Sequence, residues 1–140
     1  MYVWNREAFE SAARCLKRLV PGVVTFAGGP EVTAAPGSFA ASGGARAFDC
    51  LLSGEGETSA RTLVKSVLAG TGIPSSLAVP SRAPSEDCAS LPSPWLDGTL
   101  DTCRAVRECQ GALWELARGC PYSCAYCYES KGDKKVRAFP

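Results

Sequence analysis

The chain has 140 residues, 46% of them hydrophobic, enough for one soluble domain if the apolar pattern is continuous. A net charge of +1 gives no global electrostatic reason to bind nucleic acid or an anionic membrane, and the absence of histidine removes the commonest general base and a frequent zinc ligand. No stretch approaches the roughly 20 uninterrupted apolar residues of a membrane span, and no basic segment at the N-terminus leads into an apolar run, so a cytoplasmic location is expected.

Residues 5–20 read as an amphipathic helix. Phe9, Ala12, Ala13, Leu16, Leu19 and Val20 recur at helical spacing and leave Arg6, Glu10, Lys17 and Arg18 on the other side. Asn5 suits the N-cap, Glu7 and Glu10 the positive end of the dipole, Lys17 and Arg18 the negative end, and Pro21-Gly22 stops the helix. Val23 to Ala27 is a short β-rich run that ends in Gly28-Gly29-Pro30, as a buried strand feeding a turn does. Residues 34–47 are small and glycine-rich and support only a weak helix.

Phe48 to Ser53 forms a second apolar run, closed by Gly54-Glu55-Gly56-Glu57. Ala60, Leu63, Val64, Val67 and Leu68 then mark a helix that stops at Gly70 and Gly72. This alternation of helices and strands implies a parallel sheet covered by helices. Two strands do not complete such a sheet. With Tyr2-Val3-Trp4 taken as the end of an earlier strand, residues 1–73 read as the C-terminal half of a doubly wound, Rossmann-like domain, and Met1 as either a start codon assigned inside a longer reading frame or an internal methionine.

Residues 74–111 hold Pro74, Pro80, Pro84, Pro92 and Pro94 among serines with little periodicity, the composition of a linker. Within it, Leu91 to Leu96 is expected to pack, because a Pro-Ser-Pro-Trp-Leu run left in water exposes apolar surface. Ala112 to Ala117 reads as a strand that Arg118-Gly119 turns into a cysteine cluster. Residues 118–140 carry five basic side chains against two acidic ones, and the balance reads as a solvated surface.

Eight cysteines without a secretion signal, three of them clustered, point to metal rather than to a disulfide scaffold. Cys120, Cys124 and Cys127 place three thiols in eight residues with the spacing CxxxCxxC. Thiolates that close repel one another unless a cation holds them, and iron–sulfur clusters are held by thiolates from such runs. A cubane has four irons, so three cysteines leave one iron open to another ligand. The competing readings are a zinc site completed by Cys103 or Cys109, and ordinary reduced thiols. Cys15, Cys50 and Cys88 lie in or beside apolar runs and read as small core or linker residues.

At these residues the sequence resembles the radical S-adenosylmethionine superfamily, whose defining motif is CxxxCxxC with an aromatic residue before the third cysteine, here Tyr126. The resemblance implies that Cys120, Cys124 and Cys127 ligate three irons of a 4Fe-4S cluster, while the amino and carboxylate groups of S-adenosylmethionine chelate the fourth. An electron from the cluster would then cleave the cofactor to a 5′-deoxyadenosyl radical that abstracts hydrogen from a substrate. Tyr126 is the residue expected to meet the adenine.

The order of motifs also resembles the cobalamin-binding members of that superfamily, in which a Rossmann-like domain precedes a (β/α) radical barrel. Strands ending Gly-Gly-Pro and Gly-Glu-Gly-Glu recur there, matched by Gly28, Gly29 and Pro30 and by Gly54, Glu55, Gly56 and Glu57. The chain then divides into half of a cobalamin-type domain (1–73), a linker (74–111), and the first strand and cluster loop of a barrel (112–140). What the resemblance implies is an incomplete radical S-adenosylmethionine enzyme, with cobalamin as a further cofactor, a small-molecule or peptide substrate, and a flavodoxin or ferredoxin as reductant. The alternative is a small structural zinc module.

Overall fold

The computed structural model describes residues 1–77, 83–101, 104, 107–108, 114–127 and 132–140. They form two compact units, Met1–Ser85 and Glu86–Pro140.

The first unit is built on a parallel pair of three-residue strands, β1 (Phe26–Gly28) and β2 (Cys50–Leu52), in the register Phe26↔Cys50, Ala27↔Leu51, Gly28↔Leu52. Parallel strands need a crossover, and here it consists of α2 (Pro30–Ala34), α3 (Pro36–Ala41) and a 3-10 turn (Gly43–Ala47). Prolines sit at the first helical position of α2 and of α3, where a missing N–H costs nothing. Because strand side chains alternate between faces, the sheet separates two small cores. Ala27 packs with Val32, Phe39 and Ala45, and Leu51 joins them. Cys50 and Leu52 face Leu63 of α4 (Glu57–Leu68), backed by Ala60 and Val67. Helices on both faces of a parallel pair make this a mixed α/β layering of the Rossmann-like kind, as the alternation predicts. The first strand begins three residues later than the apolar run does. Thr25, just before it, bonds Asp49 through its amide and hydroxyl and takes the Asp49 and Cys50 amides on its carbonyl.

Helix α1 (Arg6–Leu19) has the expected extent but the opposite orientation. An amphipathic helix ordinarily buries its apolar stripe. Here Glu10 and Ala13 are buried and Arg6 and Lys17 half-buried, while Phe9, Leu16, Leu19 and Val20 stay exposed. The neighbouring elements explain the inversion by offering polar partners. Arg6 pairs with Glu10 at 2.8 Å and Glu31 at 3.1 Å, donates to Ser42 Oγ at 2.7 Å, and lies over the Phe39 ring at 4.6 Å. Lys17 Nζ reaches Asp49 Oδ1 at 2.6 Å.

Two further expectations are corrected. Asn5 occupies the N-cap but does not cap; its Oδ1 accepts the Tyr2 amide at 2.8 Å. Val3–Asn5 is a 3-10 turn rather than the end of a strand, with the Tyr2 and Trp4 rings stacked at 4.5 Å.

Residues 74–85 belong to the first unit. The turn Ser75–Leu77 takes a hydrogen bond from Cys50 Sγ on the Leu77 carbonyl, and the Ala83 amide donates to the Ser53 carbonyl at 2.9 Å. In the second unit Leu96 is 91% exposed, so the Pro-Ser-Pro-Trp-Leu run does not bury it. Among its described residues one ladder joins β3 (Ala117–Arg118) to β4 (Arg137–Ala138), antiparallel, with Ala117↔Ala138 and Arg118↔Arg137. Of the strand expected over 112–117, Ala112 and Leu113 lie outside the described residues, and Trp114 to Leu116 are exposed and precede β3, the Leu116 carbonyl taking the Phe139 amide at 3.0 Å. The start of a parallel barrel is thus replaced, among the described residues, by antiparallel pairing with β4, which satisfies the backbone groups of β3. No helix among them is long and apolar enough to cross a membrane.

Candidate metal centre

The cysteine loop leaves β3 at Gly119, whose φ of +88° lies in the left-handed region. A Cβ there would overlap the Lys135 carbonyl oxygen, so only glycine allows both the turn and the approach. The next amide, of Cys120, donates to the Asp133 carbonyl at 3.0 Å. At the far end of the motif the Cys127 amide donates to the Cys124 carbonyl at 3.1 Å, so Cys124-Ala125-Tyr126-Cys127 is one β-turn with a cysteine at each end. Tyr126 stands at its corner, 92% exposed. Between the first two cysteines, Lys134 Nζ donates to the Tyr122 carbonyl at 2.8 Å and to Ser123 Oγ at 3.1 Å.

The base of the loop is cationic and braced. Arg118 Nη2 lies 2.9 Å from Glu115 Oε2, and its guanidinium sits 5.3 Å over the Phe139 ring. Arg137 pairs with Asp133 at 3.1 Å and donates to the Glu86 carbonyl and to Cys88 Sγ. Cys88 is buried, as a small apolar residue would be.

Cys120, Cys124 and Cys127 are half-buried and form no disulfide. Among the described residues, no three His, Cys, Asp or Glu side chains are drawn together tightly enough to hold a metal ion. The donor chemistry nonetheless fits an iron–sulfur cluster, with three soft thiol ligands in eight residues and cations at the loop base to offset thiolate charge. Cys103 and Cys109, the alternative zinc ligands, lie outside the described residues.

The strand-end glycines of the first unit stand in a different setting. Gly29 has φ +94°, and a Cβ on it would meet the backbone of Met1, whose amino group donates to the Gly28 carbonyl at 2.7 Å. Gly54, φ +91°, donates to Thr33 Oγ1 at 3.0 Å and would place a Cβ 3.1 Å from the Ala83 nitrogen. Glu55 is half-buried, and Gly56 is the N-cap of α4, its carbonyl accepting the Ala60 amide at 2.7 Å. The cavity beside them, about 250 Å³, is walled by Leu52, Ser53, Thr58, Thr62 and Leu77. Drug-sized ligands take roughly 300–1,000 Å³, and a corrinoid with its nucleotide tail is larger still. The glycine turns approach the chain's own backbone, and these residues do not fit cobalamin.

Neither a family model nor a solved structure matches the chain. Curated proteins do. Over 143 aligned positions, 90% of this chain, it is 41% identical to a 2-(S-pantetheinyl)-carbapenam-3-carboxylate methyltransferase of Streptantibioticus cattleyicolor. Over 142 positions it is 34% identical to the cobalamin-dependent radical SAM methyltransferase TokK of Streptomyces tokunonensis. The chain is a relative of cobalamin-dependent radical S-adenosylmethionine methyltransferases. A hopanoid C-3 methylase of Methylococcus capsulatus matches at 27% over 146 positions. The chain spans 21%, 21% and 26% of the lengths of these three relatives.

The bracing of the loop by residues 133–135 is what the sequence reading missed. Asp133, Lys134 and Lys135 look like part of a solvated basic tail, and only Gly132-Asp133, a turn signal after the cysteines, hints that the chain doubles back.

Proposed function

We propose that residues 112–140 carry the cluster loop of a radical S-adenosylmethionine methyltransferase, working in a reducing, cytoplasmic compartment. The observation that carries this reading is the set of three half-buried cysteines, none in a disulfide, at CxxxCxxC spacing in a relative of such enzymes. Cys120, Cys124 and Cys127 would each hold one iron of a 4Fe-4S cluster, leaving the fourth for S-adenosylmethionine. When bound, the cluster supplies the electron for reductive cleavage of that cofactor, drawn from a flavodoxin- or ferredoxin-type donor. The chain's own residues do the rest. The Cys124–Cys127 turn keeps two ligands at its ends, and exposed Tyr126 offers an aromatic face to adenine. The hydrogen donor is a small molecule or a peptide. Residues 1–73 belong to a cobalamin-type domain of the parent architecture, whose corrinoid site these residues do not form alone.

Anaerobic reconstitution with iron and sulfide tests the assignment. The expected product is coloured, with about four irons per chain. Alanine at Cys120, Cys124 or Cys127 abolishes the colour, and alanine at Cys15 or Cys50 does not. A colourless chain that takes zinc instead, or equal damage from Cys103→Ala, overturns it.

A further inference from the structure

The backbone holds the three cysteines of the loop in two different ways. Cys124 and Cys127 are joined to each other, because the Cys127 amide donates to the Cys124 carbonyl at 3.1 Å and fixes their separation within one turn. Cys120 is joined instead to a segment beyond the motif. Its amide donates to the Asp133 carbonyl at 3.0 Å, directly after Gly119, where the Lys135 carbonyl leaves no room for a side chain. The place of Cys120 relative to the turn therefore depends on what fixes Asp133.

Two contacts of the Asp133 carboxylate do so. Its Oδ1 accepts the Lys135 amide at 3.0 Å, an Asx turn that shapes residues 133–135. Its Oδ2 lies 3.1 Å from Arg137 Nε, and the pair is sheltered, the two side chains being 28% and 14% exposed. A sheltered pair is screened less than a surface one, and removing either member leaves the charge of the other partly buried. The same guanidinium donates through Nη1 to the Glu86 carbonyl and, at 3.7 Å, to Sγ of buried Cys88. Arg137 also stands opposite Arg118 in the β3–β4 ladder, and Arg118 is the residue before Gly119. One side chain thus ties the acceptor of the Cys120 amide both to the ladder and to residues 86–88.

We propose that Asp133 and Arg137 are a positioning pair for the cluster. They hold Cys120 as the fixed ligand on which the Cys124–Cys127 turn closes, and their opposite charges bias the potential of the bound cluster in opposite directions. The proposal rests on the cluster-loop reading above. Neither residue ligates iron, and neither makes or breaks a bond.

The test uses the whole 140-residue chain as wild type, Asp133→Asn, Asp133→Ala, Arg137→Met, the Asp133→Ala/Arg137→Met double variant and, for loss of a cation in the other unit, Lys65→Met. Amide exchange at Cys120 and Cys127 is read before iron is added. After anaerobic reconstitution, iron lost to a chelator is measured, and the midpoint potential is found by redox titration followed by electron paramagnetic resonance. Asp133→Ala and Arg137→Met should each speed exchange at Cys120 more than at Cys127 and weaken iron retention roughly tenfold, as loss of an outer-shell partner does. The double variant should be no worse than the worse single one, because a shared interaction is lost only once. Asp133→Asn keeps an oxygen for the Lys135 amide, so it should retain most of the protection while shifting the potential positive, since removing a negative charge favours the reduced cluster. It remains decisive if the other variants fail to fold. Arg137→Met shifts the potential negative, and Lys65→Met matches wild type; loosening of the loop alone gives no reason for opposite signs. Wild-type behaviour of Arg137→Met, an unshifted Asp133→Asn, potential shifts of one sign, equal loosening at Cys127, or losses that multiply in the double variant would each overturn the proposal and leave the cluster reading intact. A wild-type chain that takes up no iron overturns the cluster reading and this inference with it.

Discussion

Lys17 and Asp49 tie the end of α1 to the approach of β2: Nζ lies 2.6 Å from Oδ1, while Oδ2 takes the amide of Thr25 at 2.9 Å and its hydroxyl at 3.0 Å. One carboxylate thus joins the helix to both strand entries. Burial pushes the Asp49 carboxyl up, but hydrogen bonds from Lys17 and Thr25 and the charge of Lys17 together hold it below the usual carboxylate value. A carboxyl depressed in the folded state stabilises the fold above its unfolded pKa of about 3.9. That contribution is lost as pH falls from there through the lower folded value. Asp49→Asn should therefore cost about 1–2 kcal/mol near neutral pH, both partners being about a third exposed, and the difference from wild type should shrink as pH falls below the unfolded value. Urea unfolding across that range checks it; an undiminished difference in acid would remove Asp49 as the cause.

The inverted packing of α1 makes an unusual demand on mutational data, because its polar stripe should matter more than its apolar one. Glu10 is 7% exposed, pairs with Arg6 and Arg14, and is packed so closely by Gly44 that a Cβ on the glycine would overlap its carboxylate. Glu10→Ala leaves Arg6 without the nearer of its two carboxylates and is expected to cost about 1–3 kcal/mol. Leu19, 72% exposed, should tolerate alanine within about 0.5 kcal/mol. Denaturant midpoints for the two variants decide the matter, and the reverse order would mean that α1 packs through its apolar side.

Gly119 and Gly98 share a positive φ, +88° and +83°, but of the two only Gly119 meets another described part of the chain, since no described residue lies within 4 Å of a Cβ at Gly98. Alanine at Gly98 should add only the left-handed strain, about 1–2 kcal/mol. Alanine at Gly119 adds the same strain and also pushes the Lys135 carbonyl away, which loosens the Cys120–Asp133 hydrogen bond. Faster exchange of the Cys120 amide in Gly119→Ala alone is the expected signature; equal behaviour of the two variants would deny the close approach.

What was legible in the sequence was local. The extent of α1 follows from its periodicity and from Pro21-Gly22, and the parallel pairing of β1 with β2 from helix–strand alternation around Gly28 and Gly54. The face that α1 buries was not legible, because a hydrophobic period shows that two faces differ but not that Glu31, Ser42 and Asp49 wait on one side of the fold. The cysteine motif announces itself through three spacings. Its brace does not, since Lys134 lies 12 and 11 residues from the groups it bonds and two adjacent lysines carry no periodic signal. Interactions between segments distant in sequence decided both of these departures.

The strand-end glycines lead to the last expectation, which concerns cobalamin. Glycines at the carboxyl ends of parallel strands commonly let a ligand approach the backbone. In this chain that space is taken: the Met1 amine sits on the Gly28 carbonyl, a Cβ on Gly29 would meet Met1, and Ala83 closes on Gly54 while bonding Ser53. Opening either turn for a corrinoid would break the hydrogen bonds that fill it, with net costs of about 0.5–1.5 kcal/mol for each ordinary one, before the ligand made any contact. The 140-residue chain should therefore elute without cobalamin when mixed with hydroxocobalamin and passed through a sizing column, its visible spectrum unchanged by the mixing. Gly29→Ala, which crowds Met1 further, should lower stability but leave that result the same. Stoichiometric co-elution of the corrinoid with the chain, lost in Gly29→Ala or Gly54→Ala, would show instead that Met1 and Ala83 yield to it and that the strand ends form a cofactor site after all.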